Sequence, residues 1–102
     1  MIFYEDDRYR YWRSTIFRRH KVLDKATRRT LTPEAGDVEK LGAVFRYLPK
    51  IPLGRGTSLR RAEMMTYRLF CMATHGEGEA ISLFSAQDAA LVAIAIGTMP
   101  AS

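Results

Sequence analysis

The segment 33–48 constrains the fold most, because its apolar residues recur at helical spacing between two ends marked by proline. Pro33 suits the first position of a helix, where no backbone hydrogen bond is lost, and Thr32 before it can act as the N-cap. The apolar positions of the segment fall on one stripe: Val38, Leu41, Phe45 and Leu48. Pro49 and Pro52 end the pattern. We predict a helix over 33–48 with this stripe in the core.

Short segments typical of strands lie on both sides of this helix. Ahead of it, 14–23 and 28–31 are rich in Thr, Ile, Phe, Val and Leu, and the turn between them is typical of a hairpin. After it, two apolar segments, 66–73 and 80–84, are separated by a loop that contains Gly76 and Gly78. The pattern favours a second hairpin there.

A second helix is predicted over 86–96. Ser85 can cap it, Asp88 stands three residues further on as in a capping box, and Gly97 suits a left-handed stop. The segment is apolar almost all round, which is typical of a helix central to the fold or of half an oligomer interface. We therefore expect self-association as a homodimer through this C-terminal helix.

The expected fold class is α+β, with a short antiparallel sheet and two helices on one face. Both halves of the chain can be interpreted as strand, strand and capped helix. The alternative is a mostly α-helical chain. Ser58 and the strong helix formers after it favour a helix that extends to Ala73 and removes the second hairpin, and residues 5–20 can also be interpreted as a helix.

Length and charge favour one domain with two unlike halves. A chain of 102 residues suits a single domain over 1–102. Residues 1–61 carry 15 Lys and Arg against 7 Asp and Glu, a net charge of +8, while residues 62–102 carry 1 against 4, a net charge of −3. A basic N-terminal part and an apolar C-terminal part indicate a charged working face that attracts a polyanion.

The single cysteine, Cys71, rules out an intramolecular disulfide and suits a reducing compartment. The N-terminus runs into Glu5, Asp6 and Asp7, unlike the basic leader of a secretory signal. The apolar run 89–96 is much shorter than the roughly 20 residues that span a bilayer. We expect a cytoplasmic protein that does not bind membranes.

Arginine and aromatic residues are concentrated in one run near the N-terminus. Guanidinium groups pair with phosphates, and aromatic rings offer faces on which unpaired bases stack. In a strand, Tyr9 and Tyr11 share one face, and Arg8, Arg10 and Trp12 share the other. Alternatively, the rings fill the core and the arginines are merely solvated. The candidate residues for binding nucleic acid or another partner are Arg8, Tyr9, Arg10, Tyr11, Trp12, Arg13, Arg18, Arg19, Lys21, Arg28, Arg29, Arg60 and Arg61.

A smaller basic set surrounds the start of the segment after the first helix. Backbone amides near Thr57 and Ser58, together with Arg55, Arg60 and Arg61, can hold one phosphate if a helix begins there. A loop with ordinary surface charge explains the same residues. The pattern has low specificity.

No catalytic or metal-binding pattern is present in the sequence. His20 and His75 lie far apart in sequence, and together with Cys71 they make a nucleophilic site only if the fold brings all three together. Cys71 between two apolar neighbours is typical of a small buried residue. We predict no cofactor, no metal site and no enzymatic activity.

Two functions from different classes fit these observations. The first is a non-enzymatic, basic nucleic-acid-binding protein that uses the Arg/Tyr/Trp-rich segment. The second is a protein-binding regulator or inhibitor, such as a phage or mobile-element protein whose basic face docks on an acidic protein surface of a larger nucleic-acid-processing complex. The sequence does not distinguish DNA from RNA.

Overall fold

The computed structural model describes residues 1–50, 58–78 and 80, and these form an antiparallel sheet packed against helices. The strands and helices are β1 (Ile2–Glu5), β2 (Tyr9–Arg13), β3 (His20–Asp24), β4 (Arg29–Leu31), α1 (Ala35–Tyr47) and α2 (Leu59–Thr74), with a 3-10 turn at Leu48–Lys50. The α+β fold class is confirmed.

The sheet is a simple meander, in which each strand pairs with the next strand along the chain, in the order β1-β2-β3-β4. The register of β1 on β2 shifts between Ile2 and Tyr4. Phe3 and Tyr4 both face the helices at this bulge, since Phe3 lies 4.9 Å from Tyr11 and Tyr4 lies 5.6 Å from Tyr67, centroid to centroid. The bulge thus adds a second ring from one short strand to the core.

The core lies between the sheet and the two helices. Tyr9, Tyr11 and Val22 of the sheet are buried there with Phe70 and Cys71 of α2. Because the helices cover only this side of the sheet, buried and solvent-facing residues alternate along the strands, as is typical of an antiparallel sheet with one packed face.

Helix α1 begins two residues later than predicted, with Glu34 as its N-cap and no side-chain capping bond. Thr32 does not cap it, because it lies two residues before the N-cap, and its hydroxyl accepts a 2.8 Å hydrogen bond from the Lys21 ammonium group instead. The predicted stripe is confirmed, with Leu41 and Leu48 buried and with Val38 and Phe45 packed against the core.

The prediction of a second hairpin is wrong, because residues 66–73 belong to α2. The Ser58 hydroxyl caps this helix and accepts a 3.1 Å hydrogen bond from the amide of Arg61. Apolar residues with strand propensity are helical here because the cap and the buried face of α2 outweigh propensity. The alternative helix that begins after Ser58 is therefore correct, whereas residues 9–13 form β2 and not a helix. The interpretation as two strand-strand-helix units fails with the second hairpin.

A glycine ends α2 in a left-handed turn. Gly76 has a φ of 72°, its amide donates to the carbonyl of Ala73, and the amide of Glu77 donates to the carbonyl of Met72. These two bonds form a Schellman motif, which confirms that the chain turns here. The predicted helix over 86–96, with the homodimer interface assigned to it, lies outside the described residues.

Candidate nucleic-acid interface

The β2–β3 hairpin carries most of the candidate residues, and strand alternation divides them between the two faces of the sheet. Tyr9 and Tyr11 face the helices, where the ring of Tyr11 lies 4.8 Å from that of Phe70. Arg10 and Trp12 therefore point to the opposite side, which we call the outer face. The sheet positions on this face, from the register, are Ile2, Glu5, Arg10, Trp12, Lys21, Leu23 and Thr30.

The burial of Tyr9 and Tyr11 corrects the interpretation of both as stacking residues. Their exposed fractions are 0% and 2%, so neither ring has a free face for a base. Burial, followed by the nearby Glu77 carboxylate, raises the pKa of Tyr9 to about 12. The guanidinium groups of Arg8 and Arg68 lie 5.1 and 5.6 Å from the Tyr9 ring centre. Both tyrosines are core residues.

Trp12 is the one aromatic residue of the run that stays on the outer face. It is half-buried, and none of the ring contacts within the described part of the chain involves it. The register sets it between Ile2 of β1 and Lys21 of β3. An indole beside an ammonium group and an aliphatic side chain can stack on a base while the cation meets a phosphate.

Arg8 is occupied by contacts within the fold. Its guanidinium Nη2 lies 3.3 Å from an Asp24 carboxylate oxygen, and the same group forms an ion pair with Glu77 just after α2. Burial acts to raise the pKa of Asp24, but the hydrogen bonds from Arg8 and from the amide of Ala26 outweigh it and lower that pKa. Arg8 therefore compensates a buried carboxylate and joins the sheet to the turn that follows α2.

Arg10 is also paired, although on the outer face. Its guanidinium lies 2.9 Å from the Glu5 carboxylate, and the Lys25 ammonium group lies 2.8 Å from the same oxygen. The hydrogen bonds from Lys25 and Arg10 lower the pKa of Glu5. One carboxylate thus neutralises part of the charge at this end of the outer face.

Asp6 organises the β1–β2 turn and was not singled out by the sequence. One of its carboxylate oxygens accepts hydrogen bonds from the amides of Arg8, at 2.8 Å, and Tyr9, at 2.6 Å. The other oxygen accepts from the Tyr4 hydroxyl and the Arg68 guanidinium. Burial acts to raise the pKa of Asp6, but these hydrogen bonds lower it. An Asp directly after β1 and three residues before β2 was the available signal of such a turn.

The opposite end of the hairpin has cations without carboxylate partners. Within the described residues, Arg13, Arg18, Arg19 and Lys21 form no salt bridge. Arg13, Arg18 and Arg19 are exposed. Glu39 of α1 lines the same depression of about 470 Å³ as Arg18 and Arg19, without an ion pair to either. We call these four cations the basic end of the hairpin.

The loop 14–19 that joins β2 to β3 projects two large apolar side chains beside these cations. Ile16 is 82% exposed and Phe17 is 74% exposed. Ser14 closes the loop, because its amide donates to the carbonyl of Arg19 at 2.9 Å and its hydroxyl accepts from the amide of Phe17 at 3.3 Å. The loop therefore holds an apolar tip in solvent.

The remaining candidate residues lie on other elements. Arg28 and Arg29 are exposed at the β3–β4 turn, at the opposite end of β3 from the basic end. Arg60 and Arg61 lie in the first turn of α2, and Arg60 is exposed while Arg61 is half-buried. Arg55 lies outside the described residues. Of the predicted set, Arg13, Arg18, Arg19 and Lys21 thus lie at the same end of the β2–β3 hairpin. Lys21 lies beside Trp12 on the outer face, whereas Arg13 pairs with His20 on the helix-facing side.

The histidines and the cysteine are parts of the fold. His75 donates a 3.0 Å hydrogen bond from Nε2 to the carbonyl of Val22, and His20 Nδ1 is hydrogen-bonded to the Tyr11 hydroxyl. Cys71 is fully buried, and burial raises the pKa of its thiol to about 12, so it is a poor nucleophile. Among the described residues, no group of His, Cys, Asp or Glu has the arrangement of a metal site.

A search of the described residues finds no helix with both the length and the apolar character to cross a membrane. Comparison with known proteins finds no matching family model, no similar curated protein and no similar solved structure.

Proposed function

We propose that this protein binds nucleic acid without catalysing a reaction, and that the basic end of the hairpin and Trp12 form the contact surface. The observation that carries the proposal is the division of the cations. Arg8, Arg10, Lys25 and Arg68 have carboxylate partners, whereas the cations of the basic end have none within the described residues. An uncompensated cluster is the electrostatic footprint expected of a polyanion-binding site.

The chemistry of the basic end supports phosphate as its target. Three of its four cations are arginines, whose planar guanidinium groups form paired hydrogen bonds with phosphate oxygens. Each phosphate that a cation neutralises releases counterions, so the binding must weaken with salt. Trp12 beside Lys21 adds a ring that can stack on a base, a contact of about 1–3 kcal/mol.

The test is fluorescence anisotropy with labelled duplex and single-stranded oligonucleotides over a series of salt concentrations. The variant R18Q/R19Q removes two cations of the basic end. We expect it to bind more weakly and to reduce the slope of log K against log salt by about 2. Trp12→Ala should weaken binding of a single strand and leave that slope unchanged.

The matched control is R28Q/R29Q, which removes the same charge from exposed positions at the other end of β3. If both double variants lose the same affinity, the whole surface attracts the polyanion and the basic end is not the site. If the unaltered protein binds no oligonucleotide even at low salt, the proposed function is wrong.

A second candidate function is a regulator that docks on an acidic protein surface. The exposed Ile16 and Phe17 favour it, because apolar side chains beside cations suit a protein interface as well. Co-purification of a defined protein that survives nuclease treatment and is lost in R18Q/R19Q would support this function over the first.

A further inference from the structure

The apolar tip of the β2–β3 hairpin is unusual for a solvated loop. Ile16 and Phe17 are neighbours, both are largely exposed, and neither belongs to the core cluster. Within the part of the chain that the structure describes, these exposed side chains at the end of the hairpin add nothing to the core. A partner that covers them would remove apolar surface from water at about 25 cal/mol per Å².

The loop is built to present this tip in one shape. The hydrogen bond from the Ser14 amide to the carbonyl of Arg19 closes the loop at its base, and the bond from the Phe17 amide to the Ser14 hydroxyl fixes the backbone at Phe17. Arg18 adopts a left-handed conformation with a φ of 52°, which costs a non-glycine residue about 1–2 kcal/mol. Glycine would fit this position without strain, but it would remove a cation next to Phe17.

Cations flank the tip on both arms of the hairpin. Arg13 ends β2 on one side, and Arg18 and Arg19 lead into β3 on the other. Two phosphate rows border each groove of a duplex, so a hairpin with cations on both arms and an apolar end suits a groove in the placement of its charge. Proteins that bend DNA insert Phe or Ile side chains between base steps in this way.

We propose that the loop 14–19 inserts Phe17 between adjacent base pairs of duplex DNA and kinks it, with Ile16 beside it and Arg13, Arg18 and Arg19 on the bordering phosphates. The inference rests on the proposed function and narrows its ligand to a duplex. The energy of unstacking one step is offset by covering the tip and by the phosphate contacts that the bend permits.

The test combines two reporters on one duplex. Fluorophores at its ends report the bend through energy transfer, and 2-aminopurine within it reports unstacking. With the unaltered protein we expect a bend in the range of about 20–90° and a rise in 2-aminopurine emission. Phe17→Ala should lose both signals and keep the salt dependence of binding, because the three arginines remain.

Two controls separate insertion from general damage. Phe17→Leu keeps an apolar wedge and should retain most of the bend. Thermal unfolding of each variant should match that of the unaltered protein, because the Phe17 side chain is largely exposed. A Phe17→Ala variant that bends DNA as before would overturn the inference.

The other outcomes are equally decisive. Binding of the duplex without a bend or unstacking, or binding of single strands alone, would overturn the inference and leave the proposed function intact. Absence of binding to any oligonucleotide would overturn both. Phe17-dependent binding to phosphatidylserine vesicles or to a purified protein, without binding to DNA, would assign the tip to that partner instead.

Discussion

At the scale of single residues, arginines of one sequence cluster have two different environments. Arg8 lies between Asp24 and Glu77, which are 16 and 69 residues away in the chain, whereas Arg13 has no salt bridge within the described residues. The sequence around each arginine gives no sign of this difference, because the partners come from β3 and from the turn after α2. Only the three-dimensional fold separates a structural cation from one that is available to a ligand.

Replacing Arg8 should cost far more stability than replacing Arg10. Arg8→Ala leaves the buried Asp24 carboxylate without its cation, so we expect a clear loss in the free energy of unfolding, moderated because the Arg8 side chain is 34% exposed. Arg10→Ala breaks an exposed pair with Glu5 and should cost less than about 1 kcal/mol. Urea unfolding measures both, and equal losses would refute the structural role of Arg8.

At the scale of the elements, the sequence predicted the parts whose signals are local. The stripe of α1, the proline at its end and the first hairpin depend on neighbouring residues, and the structure has them. The first strand of that hairpin is shorter than the predicted 14–23, because residues 14–19 form the loop between β2 and β3. The nature of 58–74 stayed open because a serine cap and strand-forming residues gave opposite signals. Tertiary packing favours the helix, because Thr66, Phe70 and Cys71 are buried on one face of α2. The sequence alone does not reveal this face, because it is the sheet that buries it.

For the candidate site, too, the sequence predicted the local pattern but not the features that depend on tertiary packing. The concentration of arginine and aromatic residues was visible in the sequence, and so was the alternation that separates Tyr9 from Arg10. Which face is buried depends on where the helices pack, and strand alternation alone does not determine it. The apolar tip went unnoticed because Ile16 and Phe17 look like core residues until the loop is seen to project into solvent.

The end of α2 allows a matched pair of glycine substitutions. Gly76 has a positive φ, so Gly76→Ala should destabilise the protein by about 1 kcal/mol. Gly36 lies in the first turn of α1 with open space around its Cα, and Gly36→Ala should stabilise the protein by about 0.5–1 kcal/mol. Thermal unfolding measures both, and a gain at Gly76 would contradict the left-handed turn.

At the scale of the whole molecule, the charge is organised in space and not only along the chain. Carboxylates from β1, β3 and the turns gather around the β1–β2 turn with Arg8, Lys25 and Arg68. The cations of the basic end lie at the other end of the same hairpin and have no carboxylate partner among the described residues. A local cluster of one sign of charge attracts a polyanion before contact.

The paired carboxylates make stability depend on acid. The pKa values of Asp6 and Asp24 are lowered in the folded protein, so their contribution is present above the unfolded value of about 4 and is lost as pH falls through the folded values. Asp37 opposes this trend, because burial and Glu34 raise its pKa, but the pKa values of three carboxylates, Glu5, Asp6 and Asp24, are lowered.

Burial, followed by the nearby Arg13, lowers the pKa of His20, so we expect the free energy of unfolding to decrease somewhat between pH 7 and about pH 5 and to decrease further below about pH 4, where Asp6 and Asp24 titrate. Urea titrations at several pH values measure this decrease. In Asp24→Asn the acid-dependent part should be smaller, because one of the titrating groups is absent. A stability that is constant down to pH 3 would show that these pairs do not contribute.

The order of the elements along the chain also determines how long the sheet stays uncovered during synthesis. All four strands precede α2, so the ribosome finishes the sheet at Leu31 and then adds 43 more residues, 32–74, before α2 is complete. At about 5–20 residues per second this takes roughly 2–9 s, whereas hairpins form in about 1–10 μs. During those seconds Tyr9, Tyr11 and Val22 lack the helix that covers them. A chain truncated before Leu59 would keep that aromatic surface in water permanently, so such fragments should aggregate during expression.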